Sequence, residues 1–87
     1  MKLVFFASLR EATGISETQL TVGNTQALSD WIRDNLTTDA QAALQAENVR
    51  IALNQSLTEW RLQDLGQVDS PLQEGDEVAF LPPVTGG

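Results

Sequence analysis

The side chains that most often carry chemistry are missing from this chain. Its 87 residues include no cysteine and no histidine. Thiolate nucleophiles, disulfides and the usual zinc sites are therefore excluded. So are Ser-His and Cys-His catalytic arrangements. What remains is the stretch Gly75-Asp76-Glu77-Val78-Ala79-Phe80-Leu81-Pro82-Pro83-Val84-Thr85-Gly86-Gly87. Gly86 and Gly87 have no Cβ, so they form the narrowest peptide available, and their backbone reaches angles closed to other residues. Such an end is expected to enter a tunnel in another protein. It would present the carboxylate of Gly87 to chemistry there.

The elements before the glycines must aim them. Gly75-Asp76 breaks the chain and starts a strand. Val78 and Phe80 alternate with Ala79 and Leu81, as in a strand with two distinct faces. Pro82 and Pro83 cannot donate to a ladder, so the strand stops there. Each proline also holds the preceding residue extended. The sequence is therefore read as one domain over residues 1–83 and a flexible Gly-Gly tail over 84–87, directed away from the body.

This C-terminal stretch resembles that of the molybdopterin synthase small subunit family, sulfur carriers of the ubiquitin-like β-grasp class. Phe5-Phe6-Ala7-Ser8-Leu9-Arg10-Glu11 is similar to that family's first strand and following turn. Ala52-Leu53-Asn54-Gln55 is similar to its third strand and exit. The resemblance implies that a partner adenylates Gly87 with ATP and magnesium. A sulfur donor then converts it to a thiocarboxylate. Val84, Thr85, Gly86 and Gly87 would next enter the active site of the large synthase subunit, where the sulfur builds the dithiolene from a cyclic pterin precursor. It further implies a heterotetramer of two small and two large subunits, and an activating enzyme of the ubiquitin-activating-like adenylyltransferase type. Catalytic residues would belong to partners, and this chain would bind no cofactor or metal of its own. The absence of cysteine agrees with this chemistry. Met1 is a thioether with no exchangeable hydrogen, so only the terminal carboxyl can become a reactive sulfur group.

Composition bounds the rest. A chain of this length makes one small domain with a modest core. Five basic residues stand against twelve acidic ones, a net charge of −7. This balance opposes nucleic-acid binding, which needs cations to neutralise phosphates. No apolar run approaches the roughly twenty residues of a membrane span. The N-terminal apolar run is too short for a signal peptide, so a cytoplasmic location is expected.

Along the chain, Lys2 to Phe6 reads as a strand, with Leu3 and Phe5 on one face and Val4 and Phe6 on the other. A connection follows, with a helical turn near Ser8–Ala12 and a turn at Gly14. Glu17 to Val22 reads as a second, antiparallel strand. Asn24 or Thr25 caps a helix whose stripe is Leu28, Trp31, Ile32 and Leu36. Thr37-Thr38-Asp39 caps a shorter helix over Ala40–Ala46. Val49 to Asn54 is a third strand, with Val49, Ile51 and Leu53 facing the core. A fourth is expected near Trp60-Arg61-Leu62, then a loop through Gly66 and Pro71, with Leu72 anchoring the approach to the last strand. The plan is α+β, a β-grasp. It has a mixed sheet of four to five strands, one main helix packed on one face and a short second helix. The last strand must lie parallel to the first, with the helix as crossover.

One helix layer leaves the other face of the sheet partly open. Phe6, Leu57 and Leu81 are expected there as an apolar docking patch beside the root of the tail. In the competing arrangement, loop 55–73 folds over these side chains. Carriers for thiamine synthesis, cysteine synthesis or tRNA thiolation share the fold and the Gly-Gly end. A ubiquitin-like modifier or an interaction domain is the alternative from another class.

Overall fold

The computed structural model describes residues 1–83. Strand β1 (Lys2–Phe5) leads through helix α1 (Ser8–Thr13) to strand β2 (Glu17–Gln19). Helices α2 (Thr25–Asn35) and α3 (Thr38–Leu44) follow, then strands β3 (Arg50–Leu53) and β4 (Ser56–Leu57). A 3-10 turn over Leu62–Asp64 and helix α4 (Leu65–Val68) precede strand β5 (Glu77–Leu81). The five strands form one sheet in the order β2-β1-β5-β3-β4. β1 and β5 pair parallel at its centre, and the other pairs are antiparallel. The mixed β-grasp sheet read from the sequence is thus present with five strands.

Capping explains where the helices start. Asn24 is extended, and its side-chain oxygen accepts from the Ala27 amide at 2.7 Å. Thr37 does the same for the Ala40 amide at 3.1 Å. Each cap satisfies a backbone donor that the first helical turn leaves unpaired. Leu28 and Ile32 of α2 are fully buried against Leu3, Phe5, Ile51, Val78 and Phe80 of the sheet. The Phe5 and Phe80 rings lie 5.5 Å apart, side by side on the parallel central pair. Leu44 from α3 and Leu9 from α1 complete this side. Among the described residues, no helix is long and apolar enough to cross a membrane.

Several expectations need correction. The fourth strand is not at Trp60-Arg61-Leu62 but at Ser56–Leu57. The chain reverses at once through Asn54 and Gln55, both at positive φ, and Leu57 pairs back with Ala52. A two-residue turn with both central residues left-handed matches the twist of a hairpin. Beyond Thr58, whose amide still donates to the Ile51 carbonyl at 2.9 Å, the Trp60 and Arg61 amides go to side chains instead of a neighbouring strand. The Trp60 amide donates to Thr58 Oγ1 at 3.1 Å, and the Arg61 amide to Asp64 Oδ2 at 2.8 Å. The expected loop through Gly66 is α4, which buries Leu65. β2 stops at Gln19, three residues before the expected Val22. Leu20 still exchanges two backbone hydrogen bonds with Met1, both 2.8 Å, and Leu20 and Val22 pack against the core. β1 ends at Phe5, and β3 runs from Arg50 to Leu53.

Segment 58–73 closes on the helix side. Leu62, Leu65 and Leu72 join the core, with Trp60 packed against it. Thr25 ties the segment down. It is fully buried, its Oγ1 accepts from the Ser70 amide at 2.9 Å, and its own amide donates to the Ser70 carbonyl at 2.8 Å. The Leu72 amide donates to the Gly23 carbonyl at 2.9 Å. A buried hydroxyl is stable only when so partnered.

Candidate functional site

β5 is held on both edges along its length, by β1 in parallel and β3 in antiparallel register. Its start is fixed as well. The Asp76 amide donates to the Gln73 carbonyl at 3.0 Å, while Asp76 Oδ2 accepts from the Gln73 amide at 2.8 Å. Asn54 Nδ2 donates to Asp76 Oδ1 at 3.0 Å. Asn54 Oδ1 accepts from the Glu77 amide at 2.9 Å, and the Asn54 amide donates to the Glu77 carbonyl at 2.8 Å. The Gln73 amide, and then the Asn54 side chain, hold the Asp76 carboxyl below its ordinary value. Both donors favour its ionised form. At the other end Leu81 passes directly into Pro82 and Pro83, which have no N–H to extend the ladder.

Alternation along these strands sorts the side chains. Leu3, Phe5, Ile51, Val78 and Phe80 point to the helices. Val4, Ala52, Ala79 and Leu81 point the other way. The register aligns Leu57, Ala52 and Ala79 across three neighbouring strands. The Phe6 amide donates to the Phe80 carbonyl at 3.1 Å, carrying the β1–β5 ladder one step past β1. Phe6, Leu57 and Leu81 are thereby brought around one apolar trough of about 370 Å³. Its floor is Ala52 and Ala79, and Gln55 and Glu77 stand at its rim. Phe6 is 46% exposed and Leu57 59%, unusual for large apolar side chains in a domain with a filled core. Segment 58–73 does not cover them, because its Leu62, Leu65 and Leu72 are buried on the helix side.

The rim carries charge. Lys2 lies 3.6 Å from Glu17 and 3.8 Å from Glu77 on the same face. Such exposed pairs add little stability and mainly colour the surface. The small floor residues were not singled out in the sequence, though alternation places Ala79 beside Leu81. Gln55 was missed as a rim residue, because only the hairpin brings it back over the sheet. Val84, Thr85, Gly86 and Gly87, the expected tail, lie outside the described residues.

A five-stranded mixed sheet in this order, grasping a helix on one face, makes the protein a ubiquitin-like β-grasp protein. The chain belongs to the ThiS family, whose model matches residues 3–87. It is similar to the molybdopterin synthase sulfur carrier subunit of Escherichia coli (strain K12), with 33% identity over 90 residues, spanning 100% of this chain and 99% of that protein. Among solved structures it is similar to a chain in the protein–protein complex of subunits 1 and 2 of molybdopterin-converting factor from Helicobacter pylori 26695. That match has a TM-score of 0.70 and 23% identity, over 99% of this chain and 96% of that one. SAMP1 from Haloferax volcanii gives a TM-score of 0.69 at 20% identity, over 100% and 98%. At such identities the two structures share the fold alone.

Proposed function

We propose that this chain is the sulfur-carrier subunit of a molybdopterin synthase, acting in the cytoplasm. The observation that carries the reading is the apolar trough of Phe6, Leu57 and Leu81 at the exit of a strand clamped on both edges. A docking surface at the root of a Gly-Gly end is what a carrier needs. The relative at 33% identity, named as such a subunit, supports the choice of pathway. SAMP1 from Haloferax volcanii supports only the fold.

A carboxylate is a poor electrophile, so Gly87 is first adenylated by a ubiquitin-activating-like partner, with ATP and magnesium as co-substrates and pyrophosphate released. Persulfide sulfur from the donor system attacks the acyl carbon and expels AMP. A thiol reduces the resulting acyl disulfide and leaves a thiocarboxylate. The trough docks on the large subunit, in a heterotetramer of two small and two large subunits. Residues 84–87 then reach that subunit's active site, where the thiocarboxylate delivers sulfur to the cyclic pterin. Docking first makes tail insertion intramolecular and raises its effective concentration.

The test is the intact mass of the chain isolated from cells that contain its activating enzyme. The expected result is replacement of one oxygen by sulfur, located to Gly87. A chain lacking Gly87 should keep its fold and lose sulfur transfer. Transfer retained by that truncated chain would refute the mechanism. Phe6→Glu or Leu81→Glu should weaken binding to the large subunit by about a hundredfold, as expected for a central apolar anchor. Unchanged binding in both variants removes the docking role of the trough.

A further inference from the structure

The hairpin that carries Leu57 has two left-handed residues with unequal support. Asn54, at φ 52°, is a residue type that tolerates this region. Its amide and side chain make the three hydrogen bonds to Asp76 and Glu77 described above. Gln55, at φ 70°, is neither glycine nor a usual substitute for it, and hairpin turns of this type favour glycine at that place. Among the described residues its side-chain amide makes no hydrogen bond, and the residue is exposed. The β3–β4 pairing sets the positive φ at Gln55, and its side chain adds no hydrogen bond to the turn. The same side chain lines the apolar trough and also a second hollow of about 240 Å³, shared with Asn54, Gly75 and Glu77. An exposed primary amide with no hydrogen bond in the domain, set between an apolar trough and a second hollow, is available to a partner.

We propose that Gln55 is a specificity-determining contact of the docking face, its amide pairing with a peptide group of the large subunit at the edge of the trough. The primary amide both donates and accepts, which matches the two halves of a peptide group. The neighbouring hollow gives that group room. Apolar walls alone do not fix register, whereas a hydrogen bond beside them does. This inference rests on the docking role proposed above for the trough.

The experiment measures binding of the full chain to the large synthase subunit, together with thermal unfolding, for four proteins. Gln55→Ala keeps the strained backbone and loses the amide. It should weaken docking about tenfold, as for one lost hydrogen bond, with an unchanged unfolding midpoint. Gln55→Gly should weaken docking by the same factor and raise the midpoint by about 4 °C, because glycine accepts positive φ without strain. Leu57→Asp and the unaltered chain complete the set. Loss of docking in Leu57→Asp with none in Gln55→Ala overturns the inference and leaves the docking face standing. Undiminished docking in Leu57→Asp overturns the docking role and the inference with it. A Gln55→Gly chain that docks as tightly as the original also overturns the inference.

Discussion

The two faces of the central sheet use the same strands for opposite ends. On the helix side, Leu3, Phe5, Val78 and Phe80 are essentially inaccessible to water. On the other side, Phe6, next to Phe5 in sequence, and Leu57, opposite Ala52, remain exposed around a floor of alanines. Burial on the first face holds the domain together, since each large apolar side chain contributes a few kcal/mol there. Exposure on the second face makes no such contribution to the isolated chain. A residue's place in the alternation therefore separates stability from binding, one position apart in sequence.

The sharpest way to break this contrast is to truncate one phenylalanine on each face. Phe80→Ala should cost about 3–5 kcal/mol, the range for a fully buried aromatic, read from a urea unfolding curve. Phe6→Ala should cost less than about 1 kcal/mol. Equal losses would show that the open face is also core. A smaller effect sharpens the account of segment 58–73. Thr25→Val keeps the side-chain volume but leaves the half-buried Ser70 amide without its acceptor. It should cost about 1–3 kcal/mol without altering the affinity for the large subunit. Changed docking would show that this helix-side lashing also shapes the trough.

The smallest effect concerns pH. The folded Asp76 carboxyl titrates below its ordinary value of 3.8. A lowered folded value means that the unfolded chain binds the proton first as pH falls. The contribution of Asp76 to stability is thus complete well above pH 3.8 and is lost as pH falls below that value, through the depressed one. Carboxyl chemical shifts followed between pH 6 and about 2 should place its midpoint below the ordinary aspartate value. An ordinary midpoint would remove the Asn54–Asp76 clamp as a source of rigidity at the start of β5.

Much of this organisation is legible in the sequence because the signals are local. Asn24 and Thr37 before apolar stripes mark helix starts, and both caps are in place. The alternation of Val78, Ala79, Phe80 and Leu81 assigns each to its face before any partner strand is known. Trp60-Arg61-Leu62 misleads because apolar residues without a clean period suit a short strand as well as a turn. What decides there is the capture of two backbone amides by Thr58 and Asp64.

The chain's sequence by itself settled that no thiol or imidazole chemistry is available, and that Phe6 and Leu81 would share a face. Those conclusions need only residue types and a two-residue period, which are fixed by covalent order. Tertiary structure alone decided that segment 58–73 lies over the helices, that Leu57 returns to stand beside Ala52, and that Asn54 grips Asp76 from 22 positions away. Such pairings depend on shape and hydrogen-bond complementarity between distant segments, and no local pattern encodes which surface a loop will meet.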